Sequence, residues 1–138
     1  MRMFAIAAAM LASGIGVGVA VDRVALAQQQ PAPGIKRTIL QRVDDPGSAN
    51  YEAIQGIAEI APGAASGKHR HHGIEVAYVL EGSMLVEHEG QPPKTLKAGD
   101  AFTNQAAVHN AKNLGKTPVK ILTVYIVEKG KPLAEPVP

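Results

Sequence analysis

Cysteine is absent from this chain of 138 residues, and so is tryptophan. Without cysteine, no disulfide can cross-link the fold and no thiolate can hold a metal ion. Stability must therefore come from side-chain packing, or from a metal bound through nitrogen and oxygen atoms. Closed structural zinc sites built on cysteine are excluded.

A surplus of positive charge is also missing. The sequence has 14 Lys and Arg against 12 Asp and Glu, and only 4% of its residues are aromatic. Without residues 1–27, which precede the predicted domain, 12 basic and 11 acidic residues remain, a net charge of about +1. Nucleic-acid-binding domains need a basic face, often with aromatic side chains on which bases stack. We therefore expect no nucleic-acid partner.

The longest uncharged run lies at the N-terminus, where Arg2 precedes 19 residues (3–21) rich in Ala, Gly and Val. Residues 25–27, Ala-Leu-Ala, have the small-x-small pattern of a cleavage site. This predicts a signal peptide over residues 1–27, export to the periplasm or the medium, and no stable membrane insertion after cleavage. The alternative is an uncleaved anchor, because the run approaches the length that spans a bilayer.

The middle of the chain shows no sustained helical periodicity, and short apolar or alternating runs are separated by Gly and Pro. This pattern predicts an all-β sandwich or barrel over residues 36–128. A flexible linker (28–35) is expected before it and a Pro-rich tail (129–138) after it. Strands are predicted at 36–43, 53–60, 74–80, 83–87, 94–97, 101–103, 108–111 and 119–128.

Two of the predicted strands are apolar on both faces. If Glu75 faces the interior, alternation places a large apolar set outside: Ile74, Val76, Tyr78 and Leu80. Residues 119–128 likewise carry apolar side chains at both odd and even positions. Such strands are normally covered on both faces. We expect a second sheet layer, the 36–43 arm or a second subunit to cover the outer face, and we predict a homodimer.

A polar cluster lies between Gly63 and Gly82. His69 and His71 are two residues apart, and Glu75 follows four residues later. On a β-strand, residues two apart point to the same face, so these three would project together unless Gly73 disturbs the alternation. Two imidazoles and a carboxylate on one face of a sheet form the outline of a metal site.

The same stretch fits the spacing Gly-x5-His-x-His-x3-Glu-x6-Gly at every fixed position: Gly63, His69, His71, Glu75 and Gly82. This spacing resembles the first signature of the cupin superfamily. Residues 99–113 resemble the second signature, in which Gly99, His109 and Asn113 keep their positions. Gln105 and Ala107 replace the usual Pro and Gly, and the loop before His109 is one residue short. The similarity is to small single-domain bacterial cupins, and it implies a cupin jelly-roll β-barrel.

By matching position, the resemblance implies four ligands of a divalent transition metal: His69, His71, Glu75 and His109. Mn, Fe, Ni, Cu and Zn all accept such a set, and two positions of an octahedral ion stay open for water, dioxygen or a substrate. One hypothesis is an oxidoreductase that resembles cupin dioxygenases and acts on a small organic substrate, with Glu75 as catalytic base. The alternatives are a non-catalytic small-ligand binding protein, or an isomerase or lyase that uses the metal as a Lewis acid.

Other polar residues near the motif are expected to have modest roles. His72 and His88 are predicted at the surface, although His72 could shuttle protons or serve as a spare ligand. Lys68 and Arg70 flank His69 and are expected as solvated charges, the alternative being to anchor an anionic substrate. Asn113 is expected to fix a loop through hydrogen bonds.

Overall fold

Two antiparallel five-stranded sheets form the fold. The computed structural model describes residues 31–138, so the predicted signal peptide and the start of the linker lie outside the described residues. Within 31–138 there is no helix, and hence none long and apolar enough to cross a membrane. The strands are β1 (Ile35–Asp44), β2 (Tyr51–Ile60), β3 (His69–Arg70), β4 (Gly73–Glu81), β5 (Ser83–His88), β6 (Lys94–Lys97), β7 (Ala101–Gln105), β8 (His109–Lys112), β9 (Val119–Glu128) and β10 (Glu135–Pro136).

The sheets have the strand orders β1-β2-β9-β4-β7 and β10-β3-β8-β5-β6. The predicted all-β class is confirmed, and each predicted strand is found with its ends shifted by at most two residues. The main core lies between the sheets, because both contribute buried apolar side chains to it. Its members are Ala58, Ile60, Ala77, Val79, Met84, Val86, Leu96, Val119 and Ile121. Burying each large side chain of this kind contributes roughly 1.5–3 kcal/mol.

The C-terminal segment is part of the fold, whereas the sequence predicts a flexible tail at 129–138. Strand β10 pairs with β3, with Glu135 opposite Arg70 and Pro136 opposite His69. Leu133 packs against a second core cluster formed by Ile54, Tyr125 and Val127. This role was not predicted, because the segment is rich in proline and only two of its residues form a strand.

The outer face of β4 is exposed in this chain. Burial alternates along the strand as predicted, with Glu75 inside and Val76 47% exposed. The second sheet packs on the inner face only, and β1 lies in the same sheet as β4, so neither covers this surface. The expectations that a second sheet layer or the 36–43 arm covers this face are therefore wrong, and coverage by a second subunit stays a prediction.

Candidate metal centre

Three buried histidines converge where the two sheets meet. His69 lies in β3, His71 follows it in the connection to β4, and His109 begins β8. His69 and His109 are directly opposite each other in the β3–β8 pair. One ring nitrogen from each of the three lies within 4.8 Å of the others. These atoms are close enough together for one ion to bind all three.

The predicted single-strand geometry of the cluster is wrong. His69 belongs to one sheet and Glu75 to the other, because the chain leaves β3 after Arg70 and enters β4 at Gly73. Gly73 has φ of +152°, and a Cβ atom there would lie 2.0 Å from the carbonyl oxygen of Ile126. Only glycine fits at this point. Because the chain passes there from one sheet to the other, the alternation expected along a single strand does not continue.

Glu75 reaches the histidines from the opposite sheet. Its Oε2 lies 3.2 Å from His71 Nε2 and 3.7 Å from His109 Nε2, and its side chain is buried. The structure thus brings together all four residues that the sequence places at the metal. They meet across the space between the sheets and not along one strand.

Backbone carbonyls fix the tautomer of each histidine. A carbonyl oxygen can only accept, so each Nδ1 must carry the proton that it donates, and each neutral ring then presents the lone pair of Nε2. The pairs are His69 with Gly67 at 2.9 Å, His109 with Ala107 at 2.9 Å, and His71 with Leu133 at 2.5 Å. Such outer contacts orient the imidazoles of protein metal sites.

The donor atoms fit a cation between them. His71 Nε2 is fully buried and has no hydrogen-bond partner among the described residues, although Glu75 Oε2 is only 3.2 Å away. When His71 is neutral, its Nε2 lone pair and the Glu75 carboxylate repel each other because neither atom can donate, and a proton or a metal cation between them removes the repulsion. Three neutral nitrogens and one carboxylate oxygen form a set that divalent transition metals accept.

Burial and hydrogen bonding favour the ligand forms of these groups. Burial lowers the pKa of His69 to about 4 and also lowers the pKa of His109, so both rings are neutral at pH 7. Burial by itself would raise the pKa of Glu75, but a proton on His71 Nε2 that is donated to the carboxylate, the Asn104 amide and the charge of His109 outweigh it and lower that pKa to about 2. The carboxylate is therefore an anion.

Asn104, which the sequence does not single out, holds Glu75, and His88 contacts Asn104 in turn. Asn104 of β7 lies opposite Glu75 of β4, and its Nδ2 donates to Glu75 Oε2 at 2.5 Å. Its Oδ1 then faces His88 Nε2 at 2.5 Å, so His88 is the donor there. The prediction that His88 is only a surface residue is wrong, since it is half-buried and connects to the centre through Asn104.

A small cavity adjoins the histidines. Its volume is about 40 Å³, and it is lined by His69, Glu75, Tyr125, Phe102 and Arg37, with aliphatic side chains around them. Burial, and then the charge of Glu75, raise the pKa of Tyr125, so its hydroxyl stays protonated. The sequence did not assign Tyr125 to either face, because residues 119–128 are apolar at both odd and even positions. Arg37 gave no signal either, because the pairing of β1 cannot be read from the sequence.

The flanking residues have other partners. Arg70 Nε donates to Glu135 Oε2 at 2.6 Å, and His72 Nε2 lies 3.3 Å from the same oxygen. His72 therefore points away from the cluster, and the structure does not place it as a spare ligand. Lys68 is exposed. Asn113 has the predicted loop-fixing role, since its buried amide donates to Ile60 and Thr117 carbonyls.

Comparison with known proteins identifies the family and similar folds. The family model described as Cupin domain matches residues 56–125. None of the curated proteins matches the chain. The fold is similar to a double-stranded β-helix protein from Klebsiella pneumoniae, at 21% identity and a TM-score of 0.60, covering 74% of this chain and 85% of that one. It is also similar to KdgF from Halomonas sp. (27%, TM-score 0.56, 70% and 83% covered). A third similar structure is the polyketide cyclase RemF from Streptomyces resistomycificus (22%, TM-score 0.61, 79% and 75% covered).

Proposed function

Because the chain belongs to the cupin family, we propose that it is an exported metal-dependent oxidoreductase that acts on a small organic substrate. His69, His71, Glu75 and His109 are proposed to hold a divalent transition metal. One observation carries the proposal: the buried Nε2 of His71 has no hydrogen-bond partner among the described residues and faces Glu75. A cation removes this conflict, and the cavity beside it leaves room for a ligand.

The residues around the cavity have separate roles in this proposal. A bound divalent ion would act as a Lewis acid and, if redox-active, would exchange electrons with the substrate. Among residues 31–138, Glu75 is the only carboxylate that lines the cavity, so proton transfer is assigned to it. Phe102 and Ile121 form part of the apolar wall of the cavity. The Tyr125 hydroxyl, which stays protonated, can donate a hydrogen bond to a ligand.

Metal analysis tests the proposal directly. Purified residues 28–138 should contain about one transition ion per chain, and His71→Ala should lose it, because that change removes a ligand. His72→Ala is the matched control: the neighbouring histidine points to Glu135, and metal content should be unchanged. Wild-type protein with no bound or recoverable metal would contradict the proposal.

A non-catalytic ligand-binding role is the second candidate. Hydrogen bonding already occupies Glu75 Oε2, and no other carboxylate lines the cavity to supply an acid–base pair. Oxygen uptake by metal-loaded protein with a panel of small organic acids, enols and phenols separates the two. Turnover supports the oxidoreductase, whereas saturable binding without turnover supports the binding protein. Turnover without oxygen uptake would instead indicate an isomerase or lyase.

Export rests on the N-terminal sequence alone. We expect intact-mass measurement of the protein recovered from the periplasm or medium to give a chain that begins at Gln28, as the Ala-Leu-Ala pattern at 25–27 predicts. A full-length chain in the membrane fraction would show instead that residues 1–27 are an anchor.

A further inference from the structure

Arg37 is the one cation that the fold turns toward the cavity. It lies on β1 directly opposite Ala58 of β2, and paired residues of neighbouring strands point to the same face. Ala58 is buried in the main core, so Arg37 projects inward beside it. Sequence alternation alone would not reveal this, because most of β1 is exposed.

The guanidinium of Arg37 lacks a partner in the described part of the chain. Its Nε is fully buried and makes no hydrogen bond there, and no carboxylate in residues 31–138 forms an ion pair with it. Two other cations of the same strand do have partners: Lys36 pairs with Glu59 at 3.5 Å and Arg42 with Glu52 at 3.0 Å. A buried, unpaired N–H of a charged group is costly, which points to a missing acceptor.

The cavity wall determines which acceptor would fit. In the part of the chain that the structure describes, Arg37 is the only permanent cation on this wall, and the only carboxylate there, Glu75, is not within ion-pair distance of it. Most of the remaining wall is apolar, including Ile35, Ile60 and Phe102. A phosphate dianion would leave several oxygens without donors there. A carboxylate matches the planar fork of one guanidinium and carries a single charge.

The size of the cavity restricts the ligand further. A volume of about 40 Å³ corresponds to roughly three water molecules, at about 10–15 Å³ each. This accommodates the three heavy atoms of a carboxylate group, so the rest of an acid must extend out of the cavity. His69 and His109 line the same cavity, so the far end of such a ligand would face the histidine cluster.

We propose that Arg37 anchors the carboxylate of a small aliphatic organic acid inside the cavity, with the rest of the acid directed at the metal centre. This assignment rests on the proposed function, whose substrate class it narrows. The charge of Arg37 also lowers the pKa of His69, after the larger effects of burial and the neighbouring histidines, so it acts electrostatically on the histidine cluster.

Calorimetric titration with propionate, and with propionamide as its uncharged isostere, tests the anchor. Metal-loaded residues 28–138 should bind propionate and should not bind propionamide. Arg37→Gln should weaken propionate binding roughly tenfold to a hundredfold, since it removes a charged hydrogen-bond donor. Lys36→Gln is the matched control from the same strand, and its affinity should equal that of the wild type because Lys36 is at the surface.

Several outcomes overturn the proposal. They are wild-type protein that binds neither compound at millimolar concentration, equal affinity for both compounds, and Arg37→Gln that binds propionate as tightly as the wild type. If Arg37→Gln fails to fold, the proposal is tested by Arg37→Lys and by the wild-type affinities for propionate and propionamide. Metal content measured on the same samples separates this inference from the proposed function. If the wild type takes up no metal but still shows Arg37-dependent binding of propionate, the proposed function is refuted and the anchor stands. If the wild type holds metal but shows no such binding, the anchor is refuted and the metal centre stands.

Discussion

At the scale of single residues, main-chain carbonyls decide which nitrogen of each histidine faces the centre. Gly67, Ala107 and Leu133 provide these acceptors, so loop conformation, and not a second set of side chains, sets the tautomers. The loop before His109 contains Ala106 with φ of +52°, a conformation that costs a non-glycine residue roughly 1–2 kcal/mol. The loop therefore keeps a strained residue next to the carbonyl of Ala107.

Asn104 should act as a positioning residue for Glu75. Asn104→Leu keeps the approximate volume and removes the amide that donates to Glu75 Oε2. Because outer-shell hydrogen bonds orient ligating carboxylates, we expect the Kd for the metal to rise roughly tenfold to a hundredfold. Competition with a chromophoric chelator measures this. Asn110→Leu is the control, since Asn110 is equally an interior amide but donates to Glu87.

His88 extends the same test by one residue. His88→Gln retains an N–H that can donate to Asn104 Oδ1, whereas His88→Leu removes the donor and frees the amide to rotate. The leucine variant should lose metal affinity and the glutamine variant should largely recover it. Equal behaviour of the two variants would mean that His88 matters for packing alone. In the Asn104 test, an Asn110→Leu variant that loses as much metal affinity as Asn104→Leu would mean that replacing any buried amide weakens metal binding.

At the scale of elements, the connection from β3 to β4 depends on Gly73. Gly73→Ala should lower the free energy of unfolding by about 3 kcal/mol or more, because a Cβ atom would overlap the Ile126 carbonyl in a conformation that only glycine adopts readily. Urea unfolding measures the loss. Gly90→Ala is matched in sign of φ (+76°) but has no atom within 4 Å of the added Cβ, so about 1–2 kcal/mol is expected. Equal losses would show that the overlap at Gly73 relaxes.

The strands illustrate what the sequence could and could not predict. Long strands such as β4 and β9 were predicted because each is an extended apolar run, rich in β-branched residues, with turn residues at its end. Strands β3 and β10 have two residues each, too few for any periodicity. The change of sheet at Gly73 was also beyond prediction, since it depends on how close the Ile126 carbonyl comes in three dimensions.

The candidate site likewise contains residues that the sequence could predict and residues that it could not. The four ligands follow from motif spacing, because residues at fixed intervals carry the resemblance. Asn104 and Arg37 do not, because their roles depend on the register of β7 against β4 and of β1 against β2. The contact of Leu133 with His71 involves a main-chain oxygen, which every residue possesses. No side-chain pattern could have pointed to it.

At the scale of the whole molecule, the outer face of the first sheet is unusually apolar. Register places Ile74, Val76 and Tyr78 of β4 beside Ile126, Val124 and Leu122 of β9, so the exposed side chains form one continuous surface. Monomeric soluble proteins rarely expose apolar patches of more than a few hundred Å². We name this surface the β4–β9 face and propose that a second copy of the chain covers it in a homodimer.

Val76 lies at the centre of the β4–β9 face and points away from the metal centre, so one substitution can test the dimer without touching the site. Val76→Lys should place a charge in the interface and convert a dimer into a monomer, because an unpaired buried charge strongly opposes association. Multi-angle light scattering on residues 28–138 measures the mass. Leu114→Lys is the control, since Leu114 is 74% exposed on a loop and should leave the dimer intact. Both variants should keep the metal content of the wild type. A monomeric wild type would refute the dimer.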